Sequence, residues 1–149
     1  MHIPGTIDSL LNHKGPAVWS VAPNDTVFDA ISLMAEKNIG ALPVMDGDRL
    51  AGMFSERDYT RKVVLKGKSS KSTAVKDIIS TPVISVELGY GVEECMRLMT
   101  EHRVRHLPVL DGGRMVGIVS IGDLVNWTIS AQNVALEQME HYISGSYPG

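Results

Sequence analysis

Apolar positions in the first third of the chain change period three times. Val18-Trp19-Ser20-Val21, stopped by Pro23, predicts a short strand. Val27, Ala30, Ile31 and Met34 then recur at helical spacing, and Asp25-Thr26 just upstream offer capping oxygens. After Gly40 the run Ala41-Leu42-Pro43-Val44-Met45 reads as a buried strand, and Asp46-Gly47 is a strong hairpin signal. Leu50 to Phe54 return as a second strand. Ser55 then caps a helix expected from about Glu56 to Leu65 and closed by Gly67. The predicted order is β-α-β-β-α.

The same order occurs twice. Shifted by 65 positions, residues 18–59 lie on 83–124 without a gap, and 16 of the 42 pairs are identical. Leu42-Pro43-Val44 falls on Leu107-Pro108-Val109, Asp46-Gly47 on Asp111-Gly112, Gly52 on Gly117, Ser55 on Ser120 and Asp58 on Asp123. The second helix shows Val92, Cys95, Met96 and Met99 on one face. One such unit is too small to cover both faces of its sheet, so two copies are expected to pack sheet against sheet with helices outside. The fold class is therefore mixed α/β, of the α+β kind. The expected organisation is repeat 1 over 7–66, a polar joint at 67–72, repeat 2 over 73–128 and a C-terminal helix over 129–144. That last helix is predicted from Ile129, Leu136 and Ile143, spaced by seven with Met139 between, and its apolar stripe suits packing on the module or on a second copy.

Composition narrows the classes. The 149 residues carry 14 Lys+Arg against 17 Asp+Glu, a net charge of −3 that gives no general attraction to nucleic acid or an anionic membrane. One cysteine excludes an internal disulfide framework and a thiolate zinc cluster. There is no apolar run of transmembrane length, and Met1-His2-Ile3-Pro4-Gly5 lacks the basic and apolar regions of a secretory signal. A cytoplasmic location is the expectation.

Chemistry concentrates where the second strand of each repeat meets its helix. Gly52 to Asp58 and Gly117 to Asp123 share the pattern Gly-x-x-Ser-x-x-Asp. A helix start exposes backbone N–H groups and the positive end of the helix dipole, which suits a phosphate. Ser55 and Ser120 can bond the same oxygens, and Asp58 and Asp123 can accept from ribose hydroxyls. The plainer alternative is a capping box in which Ser caps the helix and Asp sits at its third position. Arg57, disfavoured by the dipole in a first helical turn, fits better beside an anion, and Gly122 in its place permits close backbone approach. Repeat 2 alone has Arg103-Val104-Arg105-His106 before its Leu-Pro-Val strand. These cations suit phosphate oxygens, or alternatively a solvated helix end.

The tandem Gly-x-x-Ser-x-x-Asp motifs, each preceded by Leu-Pro-Val and Asp-Gly, resemble the paired cystathionine-β-synthase (CBS) domains called a Bateman module. The resemblance covers about residues 7–128 and extends to stand-alone CBS-pair proteins. It implies two βαββα repeats in a pseudo-twofold module that binds AMP, ADP, ATP, NAD or S-adenosylmethionine in clefts between them. By that resemblance Asp58 and Asp123 hold ribose, and Ser55 and Ser120 touch phosphate or ribose. Arg105 and His106 contact phosphates, and Val21, Ala41, Val86 and Ile118 sandwich the adenine. The family also commonly pairs modules, which implies a homodimer. Repeat 1 lacks the basic pair and repeat 2 lacks the helical Arg, so the two sites are expected to differ.

Other readings have less behind them. Ser120 is no nucleophile elbow, since Ile118 stands where glycine is needed, and Gly89-Tyr90-Gly91 ends in Glu94 where a dinucleotide loop has its third glycine. His102 and His106 lack a third ligand, while His2, His13 and His141 read as surface residues. Cys95 aligns with Ala30 on a core face and reads as a buried thiol. The basic stretch from Arg57 to Lys71 has no aromatic platform for stacked bases, which disfavours nucleic acid. The expectation is a non-catalytic nucleotide sensor acting on an unknown regulated protein, without metal or membrane. The alternative is a ligand-independent interaction module.

Overall fold

The computed structural model describes residues 3–15, 17–79 and 81–144, without the side chains of 135 and 141–144. His2 lies outside the described residues, as do the side chains of His141 and Ile143. In chain order the elements are α1 (Ile7–Lys14), α2 (Val27–Lys37), β1 (Ala41–Asp46), β2 (Arg49–Ser55) and α3 (Glu56–Asp58), followed by a π-helical stretch, Tyr59–Val64. A 3₁₀ turn, Val75–Asp77, precedes β3 (Val86–Glu87), α4 (Val92–His102), β4 (His106–Asp111), β5 (Arg114–Ser120) and α5 (Ile121–Ser144).

Two compact units result. One holds α2, β1, β2 and their sequel within 17–85, together with residues 110–117. Thr26 caps α2, its Oγ1 accepting from the Asp29 N–H at 3.1 Å. β1 and β2 pair antiparallel, with Ala41 opposite Ser55 and Asp46 opposite Arg49 across a turn in which Gly47 takes a positive φ of 62°. Val21, Val27, Ala30, Met34, Leu42, Val44, Phe54 and Val63 form the core. The strand expected at 18–21 shrinks to one bridge. Only Val21 is buried, its N–H donating to the Pro43 carbonyl at 3.1 Å, before Pro23 removes the next usable donor. The helix after Ser55 starts as α and widens to π, with the Leu65 N–H donating to Thr60 O at 3.0 Å.

The other unit holds α1, residues 86–109 and the chain from 118 onward. Strands β3, β4 and β5 form a sheet in that order. Ile7 and Leu10 of α1 are buried, as are Val92, Cys95 and Met99 of α4 and Leu124 of α5. α5 runs unbroken for 24 residues, so the boundary expected at 128/129 falls inside a helix; no glycine or proline interrupts 123–144.

The grouping follows an exchange of lead-in segments. The chain before repeat 1 docks on repeat 2, where Ile7 N–H donates to Tyr90 O at 2.8 Å and Val92 N–H to Gly5 O at 3.1 Å. The chain before repeat 2 docks on repeat 1, where Val27 N–H donates to Thr73 O and Val75 N–H to Asp25 O, both at 2.9 Å. Each repeat's first helix is thereby started by the segment that leads into the other repeat.

Candidate functional site

Both Ser–Asp junctions are closed capping boxes. At the first, Ser55 Oγ accepts from the Asp58 N–H at 3.2 Å, while Asp58 Oδ2 accepts from the Ser55 N–H and hydroxyl, both at 3.0 Å. Asp58 is 9% exposed, and its Oδ1 faces the Lys62 ammonium at 3.2 Å. The second repeats this, with Ser120 Oγ accepting from the Asp123 N–H at 3.1 Å and Asp123 Oδ2 from the Ser120 N–H at 2.8 Å. The ion-pair partner differs. Lys14, at the end of α1, places its ammonium 2.8 Å from Asp123 Oδ2 and 2.8 Å from the Ile118 carbonyl.

The boxes shrink the anion seat that the sequence led us to expect. The Ile121 N–H donates to Arg105 O at 2.8 Å, and in the first repeat the Glu56 N–H donates to Gly40 O at 3.1 Å. With Ser120 and Asp123 also bonded, the Gly122 amide is the one N–H of that turn without a partner among the described residues. A Cβ on Gly122 would meet Ser120 Oγ at 3.6 Å, an ordinary contact, so the backbone there does not demand glycine.

The unit built on α1 and α5 brings together Ser120, Gly122, Asp123, Ile118 and Val86 with Arg103, Arg105 and His106, while Ser55, Arg57, Asp58, Val21 and Ala41 belong to the other unit. The Ile121–Arg105 bond sets Arg105 against the first turn of α5, and His106 opens β4. Arg103 closes α4 in a left-handed conformation with φ 55°, as Asn38 closes α2 with φ 54°. That is the helix-end role weighed for Arg103. Val21, Ala41 and Val86 are buried.

Two features were missed by local pattern reading. Asp58–Lys62 is an i,i+4 pair that spacing could have shown. The other is a cavity of about 590 Å³ between α1 and α5, lined by Leu10, His13, Lys14, Asp123, Trp127 and Val134 among others. That volume is in the range of small-molecule sites, and apolar walls with a few convergent polar groups are their usual make-up. His13, read as a plain surface residue, sits edge-on to Trp127 with ring centroids 6.5 Å apart. Burial beside the Glu94 carboxylate pushes the Cys95 thiol up from 9.0 to about 12, so the thiolate is scarce at neutral pH.

A duplicated unit with a Ser–Asp box at each strand-to-helix junction defines a tandem-repeat module. The CBS domain model matches residues 15–65 and 75–130, and the chain belongs to that family. It is 53% identical to a CBS-domain protein of Burkholderia ambifaria MC40-6, over 86% of this chain and 96% of that one, with a TM-score of 0.82. The mitochondrial CBS domain-containing protein CBSX3 of Arabidopsis thaliana is 39% identical over 95% of this chain and 73% of its own length. CBSX2, whose crystal structure is a complex with AMP, is 26% identical over 85% of this chain and 98% of that one, with a TM-score of 0.72. Among the described residues no helix is long and apolar enough to cross a membrane.

Proposed function

We propose that this chain is a non-catalytic sensor of adenine nucleotides, holding AMP, ADP, ATP or NAD and signalling occupancy to a partner protein. The observation that carries the reading is the Asp123 junction. A 22%-exposed carboxylate, the one unbonded amide of a helix start and the backbone of Arg105 meet beside a cavity of ligand size. The AMP complex of CBSX2, on the same fold, supports the choice of nucleotide. In this reading Asp123 and Asp58 take ribose hydroxyls; Ser120, Gly122, Arg103, Arg105 and His106 face phosphate on the second repeat, with Ser55 and Arg57 on the first. Val21, Ala41, Val86 and Ile118 supply apolar walls for the base.

The test is the melting temperature of the full chain against AMP, ADP, ATP, NAD and S-adenosylmethionine, with calorimetry for stoichiometry. A ligand at 100 times its dissociation constant adds about 2.7 kcal/mol. Indifference to every nucleotide refutes the reading. A second reading has its own observation: both boxes are complete without ligand, and Ile129, Leu136 and Met139 are exposed along α5. There the Ser–Asp pairs only cap helices, and α5 joins two copies into a homodimer.

A further inference from the structure

Lys14 is the residue that the nucleotide reading leaves without a role. α1 is held at two ends by different means. Its N-terminal end is fixed by Ile7 N–H to Tyr90 O at 2.8 Å, Asp8 N–H to Leu88 O at 3.0 Å and the buried Ile7 and Leu10. At its C-terminal end the Lys14 ammonium, 36% exposed, bonds Asp123 Oδ2 and Ile118 O, and the neighbouring His13 sits edge-on to Trp127. A carboxylate oxygen offers about two lone-pair sites. Those of Asp123 Oδ2 are taken by the Ser120 N–H and Lys14, both at 2.8 Å. A vicinal diol that grips both carboxylate oxygens therefore has room only when Lys14 leaves.

The first junction is linked the other way round. Lys62 is four residues from Asp58 on the same helical stretch, and its ammonium also donates to the Ile78 carbonyl at 3.2 Å, so there the lysine stays with its helix and reaches out to the lead-in segment. Lys14 lies 109 residues from Asp123 in sequence and carries a helix with it. Lys14 and Asp123 both line the cavity between α1 and α5, so a ligand there meets the ion pair itself.

Resting on the nucleotide reading above, we infer that Lys14 is a tethered competitor for the Asp123 carboxylate. Nucleotide at the second junction and the docked C-terminal end of α1 exclude one another, and release of α1 is the signal. Trp127 reports it through His13, next to Lys14 in sequence, whose ring sits edge-on to the indole with centroids 6.5 Å apart. The indole itself is anchored at the fixed end. Its N–H donates to Pro4 O at 2.8 Å, and its ring lies so close over Gly5 that a Cβ there would be 2.5 Å from it.

The experiment uses the full chain with AMP as the probe. It compares wild type, Lys14→Met and Asp123→Asn by calorimetry, by hydrogen exchange over residues 7–14 and by Trp127 fluorescence in a Trp19→Phe background. Without ligand, Lys14→Met and Asp123→Asn each speed exchange at the end of α1. With AMP, Lys14→Met binds about fivefold tighter, the upper range for freeing a half-exposed ion pair. AMP speeds α1 exchange in wild type and leaves Lys14→Met unchanged. Equal or weaker AMP binding by Lys14→Met overturns the inference, since a lysine that helps bind phosphate gives that sign; so does α1 exchange that AMP leaves alone. Where no variant binds any nucleotide, the sensor reading falls and this inference with it. That outcome is distinct, because in the others AMP still binds wild type.

Discussion

Asp58 serves as a cap in the structure and as a ribose ligand in the functional reading, and two substitutions separate the roles. Asp58→Ala removes the acceptor for the Ser55 N–H and hydroxyl and one partner of the half-exposed Lys62, which keeps its bond to the Ile78 carbonyl. Loss of the box costs about 1 kcal/mol by analogy with N-cap deletions. The part-buried Ser55 N–H left without an acceptor costs roughly another 1 kcal/mol, at the low end because water reaches it. The surface ion pair adds little. A total of about 2 kcal/mol corresponds to roughly 4–8 °C in a domain of this size. Asp58→Asn keeps an oxygen for the Ser55 N–H and loses the charge, so it melts within about 2–4 °C of wild type, or ~1 kcal/mol. Its nucleotide affinity at the first junction falls at least tenfold, as a hydrogen bond to a charged group is worth about 1.5–3 kcal/mol. Differential scanning calorimetry and isothermal titration on the three proteins decide it. If Asp58→Asn binds nucleotide like wild type, Asp58 only caps. If Asp58→Ala melts with wild type, the capping energetics are wrong.

Three further outcomes follow from packing and titration. Gly52→Ala sets a Cβ 2.7 Å from Ile79 Cδ1 and 3.1 Å from its Cβ, and loses about 1–3 kcal/mol in urea unfolding; adding Ile79→Val, which removes Cδ1, recovers part of it. Cys95 resists thiol reagents at pH 8 in the native state and reacts at once in denaturant. Its raised pKa means that this residue's contribution to stability is full below 9.0 and is lost as pH rises toward about 12, which a pH series of melts reads. Leu136→Glu on exposed α5 converts a homodimer to monomer in light scattering without lowering the monomer's helicity; a wild-type monomer contradicts the assembly half of the proposal.

Local signals made most of the fold legible. Thr26, Ser55 and Ser120 act as caps where capping oxygens were expected, and Asp46-Gly47 turns the hairpin, because each depends on a few adjacent residues. The exchange of lead-in segments is hidden from an ungapped alignment of the two repeats. At a shift of 68, Ile7, Leu10 and Leu11 fall on Val75, Ile78 and Ile79. Ile7, Leu10, Val75 and Ile78 are all buried, so the duplication continues upstream past a three-residue offset. At that same shift the place of Lys14 is taken by Pro82. The lysine on Asp123 is therefore an addition to one half of a duplicated scaffold. No periodicity announces it, because its partner lies 109 residues away and is chosen by where α1 docks. Duplication accounts for what the two junctions share. The difference between them lies in where each lysine comes from: Lys62 belongs to the helical stretch and reaches the lead-in at the Ile78 carbonyl, whereas Lys14 belongs to the lead-in helix and reaches Asp123.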